Sequence, residues 1–230
     1  MIRFIFRTRE PDGLIFYSIQ ASSYITIELV DGKVLARADF TSGMQEIEFG
    51  DNFADGLYHS VTFERRAGQM SLQVNKMAAK TAPFTDTTEP DFIYFSIGGL
   101  ASFSAAPLGA ILSGIPFKGC LTDVKYNGYS MQFYPLDIPG FVIDDIPMQT
   151  NEEVLEECQS DDTCQIERCE NGGTCIVTWN DFICDCPNGF GGKNCSELTI
   201  CSFNPCPLEV ECLDRDDMGY DCKYYNLIYN

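Results

Sequence analysis

The sequence predicts an all-β protein: a β-sandwich followed by small disulfide-rich modules. Three observations predict it. Residues 1–119 break into short strand-like stretches separated by turn residues. No segment keeps a 3.6-residue period, apart from the short acidic run NEEVLEEC (151–158), which has the length for one or two helical turns. All 12 cysteines of the 230 residues lie at or after position 120. The first part must therefore hold itself together by apolar packing, and the second by cross-links.

The elements follow in order. IRFIFRT (2–8) alternates apolar and polar residues at period two, as a half-buried strand does. GLIFYSI (13–19) follows a Pro-Asp-Gly turn. YITIELV (24–30) and KVLARADF (33–40) flank Asp31-Gly32, a two-residue hairpin signal. QEIEFG (45–50), LYHSVTFER (57–65), QMSLQVN (69–75) and DFIYFSIGG (91–99) come next, and FKGCLTDVKYNG (117–128) closes the series. The uncharged stretch 98–117, GGLASFSAAPLGAILSGIPF, has about the length of a membrane span. It holds two prolines, four glycines and three serines, and reads as a loop.

Six cysteines between Cys164 and Cys195 are spaced C-x4-C-x5-C-x8-C-x-C-x8-C. A segment this short needs staples, and disulfides persist outside the reducing cytosol. A zinc site would need a second ligand cluster, and the single histidine, His59, lies over 100 residues away. Spacing alone leaves 15 connectivities open. The string CQIERCENGGTCIVTWNDFICDCPNGFGGKNC resembles an EGF-like module. The resemblance implies the pairs Cys164–Cys175, Cys169–Cys184 and Cys186–Cys195. Residues 201–222 repeat the spacing as C-x4-C-x5-C-x9-C, but Tyr224 stands where a fifth cysteine is due. This resembles a truncated, four-cysteine EGF-like unit, with Cys201–Cys212 and Cys206–Cys222 implied. The strand-like YYNLIYN that follows suggests that a further domain comes after it.

The blocks FxFRTxxPDGLIFYS, YITIELVDGKV, DGLYHSVTFER, SIGG and FKGCLTDVKYNG, in that order, resemble a laminin G-like domain. That family is a two-sheet antiparallel jelly roll. Tyr58 stands where the family usually has Trp, and the family's usual first strand would be missing or shortened here. The resemblance also implies a Cys120–Cys158 bridge, worth about 3–4 kcal/mol through loop closure. The expected organisation is a laminin G-like jelly-roll β-sandwich over 1–158, an EGF-like module over 159–196 and a truncated unit over 197–230. This order, with the TWNDF block and the half module, resembles the ectodomain of the Crumbs family of apical polarity proteins. The resemblance implies a non-enzymatic extracellular region of a single-pass membrane protein at the apical plasma membrane, in contact with cell-surface or matrix proteins or with a second copy of itself. The alternative is a calcium-dependent, glycan- or matrix-binding laminin G domain of a Fat-like cadherin, neurexin, agrin or slit type. No apolar leader is visible in MIRFIFRTREPDG, so the chain reads as a piece of a longer protein.

The formal net charge of −19 argues against nucleic acid and anionic lipid as partners. The cations are scattered, with Arg65-Arg66 the one adjacent pair. No cofactor is expected. Calcium-binding relatives of the first domain carry an Asp where Ser23 stands, and Asp91 alone could add charge at the second position, so a tight site is not expected. In the EGF-like module Asp161 and Asp162 suit calcium, but Val177 occupies a position that needs an oxygen. The run 144–162 holds eight carboxylates and no cation, and reads as a self-repelling connector. CENGGTC matches the O-fucosylation pattern of EGF-like modules, with Thr174 as acceptor. Asn194-Cys195-Ser196 matches N-x-S only formally, through a bonded cysteine. Glu46 and Glu48 share a strand face but lack the third acid of a glucanase pattern, and His59 reads as structural. Two contact candidates remain. Trp179 sits in a hairpin, either packed against a neighbouring module or exposed as an anchor. The 100–116 loop offers Phe103, Leu108, Ile111 and Leu112, and the expected arrangement folds these four back onto the sandwich edge.

Overall fold

The computed structural model describes residues 1–40, 43–66, 68–85, 94–100, 106–131, 148–149, 158–203, 205–208, 210–215 and 219–223. Two compact units divide the chain, Met1–Cys158 and Gln159–Asn230. Within the described residues the structure is strand and turn, with one short 3-10 helix at Ile200–Phe203.

The first unit is a sandwich of two six-stranded sheets. β1 (Ile2–Arg7) lies in the middle of one sheet, between β6 (Tyr58–Arg66) and β10 (Cys120–Tyr126), and β7 (Gln69–Val74), β8 (Lys80–Pro83) and β11 (Tyr129–Ser130) complete it. The other sheet runs in the order β12 (Met148–Gln149), β9 (Tyr94–Ile97), β2 (Gly13–Gln20), β3 (Ser23–Val30), β4 (Lys33–Asp39), β5 (Gln45–Phe49). Among the described strands of both sheets, pairing is antiparallel except between β12 and β9. Phe4 and Phe6 on β1 and Phe63 on β6 pack against Ile25, Ile27 and Leu29 on β3 and Phe49 on β5 in the main core.

Local chemistry sets the turns. Asp31 and Gly32 both take positive φ (52° and 75°), the geometry of the turn that matches strand twist. Asn127-Gly128 does the same (48° and 88°) and returns the chain from β10 to β11, one strand beyond those expected from sequence. An extra residue in β2 shifts its register against β3 between Leu14 and Phe16, so Ile15 and Phe16 both enter the main core.

The burial of β3 departs from simple alternation. Ile25, Ile27 and Leu29 face the main core, while Tyr24, Thr26 and Glu28, on the opposite face, are buried as well. Residues 106–116 cover that outer face as a strap, and Leu14, Tyr17 and Tyr24 of the sheet form a second apolar cluster with Ala110 of the strap. β8 carries no alternation clear enough to flag from sequence.

The second unit is built from hairpins: β13 (Thr174–Thr178) with β14 (Asp181–Asp185), β15 (Phe190–Gly191) with β16 (Glu197–Leu198), and β17 (Glu211–Asp214) with β18 (Tyr220–Lys223). The structure joins all twelve cysteines: Cys120–Cys158, Cys164–Cys175, Cys169–Cys184, Cys186–Cys195, Cys201–Cys212 and Cys206–Cys222.

Candidate functional site

The strap is pinned to the sheet by polar groups that point inward. Glu28, fully buried, accepts hydrogen bonds from the backbone N–H groups of Leu112 (3.1 Å) and Ser113 (2.9 Å). Thr26 donates through Oγ1 to the Ala110 carbonyl (3.2 Å), and Arg37 donates through Nη1 to the Gly109 carbonyl (3.0 Å). At the far end the Leu14 amide donates to the Ile115 carbonyl (3.0 Å). These groups come from β2, β3 and β4, so the strap crosses three strands. A buried carboxylate is tolerated only where donors surround it, and here the strap's own amides supply them. Burial pushes the Tyr24 phenol above its usual range, with the Asp39 charge adding to the shift and Arg37 opposing it.

This arrangement corrects the expected fold-back of the loop. Ile111 packs against the second cluster. Leu108, however, is fully exposed and Leu112 is 52% exposed, with Ile115 at 47% beside them in the chain. The physical reason lies in the anchors: the strap turns its backbone toward Thr26, Glu28 and Arg37, and the space between strap and sheet is filled by Leu14, Tyr17 and Tyr24 with the strap's own Ala110. Phe103 lies outside the described residues. Thr26, Glu28 and Arg37 were not expected from sequence. Nothing near them in sequence marks them, since Thr26 and Glu28 alternate with the core residues Ile25, Ile27 and Leu29 as the solvent side of a strand does.

The remaining candidates fall elsewhere. Glu46 and Glu48 share the solvent face of β5, and each is held by a cation of β4: Arg37 at 3.2 Å and Lys33 at 3.0 Å. His59 is buried between the rings of Phe6 and Phe53. Asn75 Oδ1 accepts from the Ser60 amide, so its Nδ2 donates to His59 Nδ1 (3.1 Å), and His59 Nε2–H donates to Asp55 Oδ1 (2.8 Å). Burial works to raise the Asp55 pKa, but the bonds from His59 and the Leu57 amide outweigh it and hold the carboxyl below the usual range. Ser23 donates through Oγ to the Phe40 carbonyl (3.0 Å). Asp91 lies outside the described residues, and these contain no group of three or more acidic, Cys or His side chains able to hold a metal. Tyr58 is exposed, with the Arg7 guanidinium 5.2 Å from its ring centre.

In the second unit Thr174 is exposed at the start of β13. Asn194 is half-buried beside the fully buried Cys195, and its carbonyl accepts from the Glu170 amide. Trp179 is half-buried in the two-residue turn between β13 and β14. The segment before the first cysteine packs on that same turn: Asp161 donates its amide to Asn180 Oδ1 (2.7 Å), and Ser160 Oγ accepts from the Asn180 amide (3.0 Å). Asp162 caps the Cys164 amide (3.2 Å), and Val177 is exposed. One further residue was not expected from sequence. Asp214 on β17 accepts from the Gly189 amide (2.7 Å), the Thr199 hydroxyl (2.6 Å) and the Cys201 amide (3.2 Å). It thereby ties the end of one module to the start of the next.

Comparison with known proteins agrees with this architecture. The laminin G domain profile matches residues 6–129, and the EGF-like domain profile matches residues 158–194. The chain is 29% identical over 220 residues to mouse protein crumbs homolog 1, covering 94% of this chain and 15% of that protein. It is 28% identical over 203 residues to human protein crumbs homolog 2, covering 87% of this chain and 14% of that protein. It is also 28% identical over 228 residues to human neurexin-2, covering 86% of this chain and 13% of that protein. The chain thus spans about one seventh of the length of these relatives.

Proposed function

The chain belongs to the laminin G domain family, and from that premise we propose that it is a non-enzymatic adhesion and interaction region of a Crumbs-like cell-polarity membrane protein, making protein contacts at the cell surface. The observation that carries this reading is collinearity: sandwich, six-cysteine module and four-cysteine unit together align with crumbs homolog 1 over 94% of the chain. In this reading the sandwich presents a rigid face and the cross-linked modules act as a stalk. The parent protein is anchored in the apical plasma membrane, and this region is extracellular. The charge of −19 suppresses non-specific contact with anionic surfaces. Thr174, exposed on its hairpin, is the O-fucose acceptor, and Asn194 is left unmodified.

The absence of catalysis belongs to the proposal as well. Support comes from the ion pairing of Glu46 and Glu48 with Arg37 and Lys33, and from the enclosure of His59 between two aromatic rings. A second reading, calcium-dependent binding of glycan or matrix, is the one implied by the resemblance to neurexin-type laminin G domains, and the chain is similar to neurexin-2 as well. Against it, Ser23 spends its hydroxyl on the Phe40 carbonyl where calcium chemistry calls for a carboxylate.

The test uses the disulfide-bonded chain produced through a secretory pathway. On the proposed reading it binds epithelial cell surfaces without added calcium and passes through a heparin column at physiological salt. Calcium binding by calorimetry in the ~10⁻⁴–10⁻³ M range of extracellular modules, with cell binding that depends on it, overturns the proposal in favour of the second reading.

A further inference from the structure

We infer that the strap 106–116 is a docking ledge for a protein segment that presents apolar side chains between lysines or arginines. The inference rests on the interaction role proposed above and specifies the chemistry of the partner.

The strap inverts the usual order of burial. Its backbone amides and carbonyls point down, into Glu28, Thr26 and Arg37, while Leu108, Leu112 and Ile115 point out. A loop free to collapse would do the reverse, because covering those three side chains is favourable and the amides can be left to water. The anchors hold the apolar groups in solvent. A surface ordered before binding loses little entropy when a partner arrives.

Charge then selects the partner. The twenty residues 98–117 contain no ionisable side chain. The surround does: Arg37 and Lys33 are each paired with a carboxylate, Glu46 and Glu48, and Lys118 follows the stretch, while Asp39, Asp12 and Asp31 leave the balance acidic. At the Leu108 end, Glu46 shares Arg37 with the strap's Gly109 carbonyl, and the half-exposed Asp39 lies on the same strand as Arg37. At the Ile115 end, Asp12 lies two residues before Leu14, and its Oδ1 accepts from the amide of the exposed Asp31. An apolar centre within an acidic rim complements an apolar centre within a basic rim. A second copy of this chain, itself at −19, would meet the rim with like charge. An anionic membrane is disfavoured for the same reason.

The experiment uses the full 230-residue chain in its disulfide-bonded form and fluorescence anisotropy with three labelled peptides: leucines flanked by lysines, the same peptide with Glu replacing Lys, and the same peptide with Ser replacing Leu. The expected result is that the lysine–leucine peptide binds at least tenfold more tightly than either control and weakens as salt rises. Leu108→Asp/Leu112→Asp should reduce that affinity at least tenfold. Leu57→Asp, an exposed leucine outside the strap, should leave it unchanged. Equal binding of the Lys and Glu peptides, no binding of any, or wild-type affinity in the strap variant overturns the inference. So does a dimer in sedimentation, or retention on phosphatidylcholine vesicles, that the strap variant abolishes. The cell-binding assay separates the two claims: cell binding retained by the strap variant removes the ledge and leaves the general role standing, whereas peptide binding without cell binding does the opposite.

Discussion

Glu28→Ala tests whether the strap is held by the buried carboxylate. The change removes the acceptor for two backbone donors, the amides of Leu112 and Ser113. A buried donor left without a partner costs about 1–3 kcal/mol. Leu112 is half-exposed and Ser113 only partly covered, so water relieves some of that cost, and the lower half of the range applies to each. The sum is about 2–4 kcal/mol. Glu28→Gln keeps the volume and one acceptor oxygen and should lose about half as much. The assays are urea unfolding and amide exchange. The unfolding midpoint should fall in Glu28→Ala, and the Leu112 and Ser113 amides should exchange at least tenfold faster than in the parent protein. If those two amides keep their parent rates while Glu28→Ala remains folded, the carboxylate does not hold the strap and the reasoning is wrong.

Three further predictions concern other sites. Asp214→Ala should loosen the joint between the two C-terminal modules by about 1–3 kcal/mol, seen as faster exchange of the Gly189 and Cys201 amides. Asp55→Asn should destabilise the sandwich at pH 7 by about 1–2 kcal/mol. The Asp55 carboxyl is lowered in the folded state, so its contribution is full above the unfolded value of 3.8 and is lost as pH falls through the folded value; urea midpoints of parent and variant should converge as the pH is taken below that folded value. Gly50→Ala should cost about 2–4 kcal/mol, because φ is 81° and the added Cβ would meet the Phe53 ring at 2.2 Å. A drop of under ~1 kcal/mol in chemical denaturation would contradict it.

Much of the architecture was legible because it is written in local chemistry. Alternation of Ile2, Phe4 and Phe6 marks β1, and Asp31-Gly32 marks the β3–β4 hairpin, each within a few residues. The outer face of β3 was harder to read. Tyr24, Thr26 and Glu28 look like the solvent side of a strand until a segment more than 80 residues later covers them. A Glu in a strand is ordinarily exposed, and nothing near position 28 announces that two amides from positions 112 and 113 will reach it. The same holds for Asp214, whose three donors lie 13 to 25 residues away in sequence. Leu108 was misjudged because composition says which side chains prefer burial, whereas the outcome here was set by where the backbone of the strap found its partners. The EGF-like spacing was readable for the opposite reason, since its partners lie close together in the chain.

The central place of β1 has a consequence for biosynthesis. Ile2 pairs with Tyr126 on one side and with Phe63 on the other. At ~5–20 residues per second, ribosomes need about 6–25 s to reach the second neighbour after making the first strand. For that interval the aromatic edge of Phe4 and Phe6 has no finished sheet to enter, so an emerging chain leaves it exposed until β10 arrives. The hairpins downstream close almost as they appear. Newly made molecules should therefore pass through a stage in which the hairpins of the sandwich have closed while β1 still waits for β10, before the cysteines of the C-terminal modules have been made.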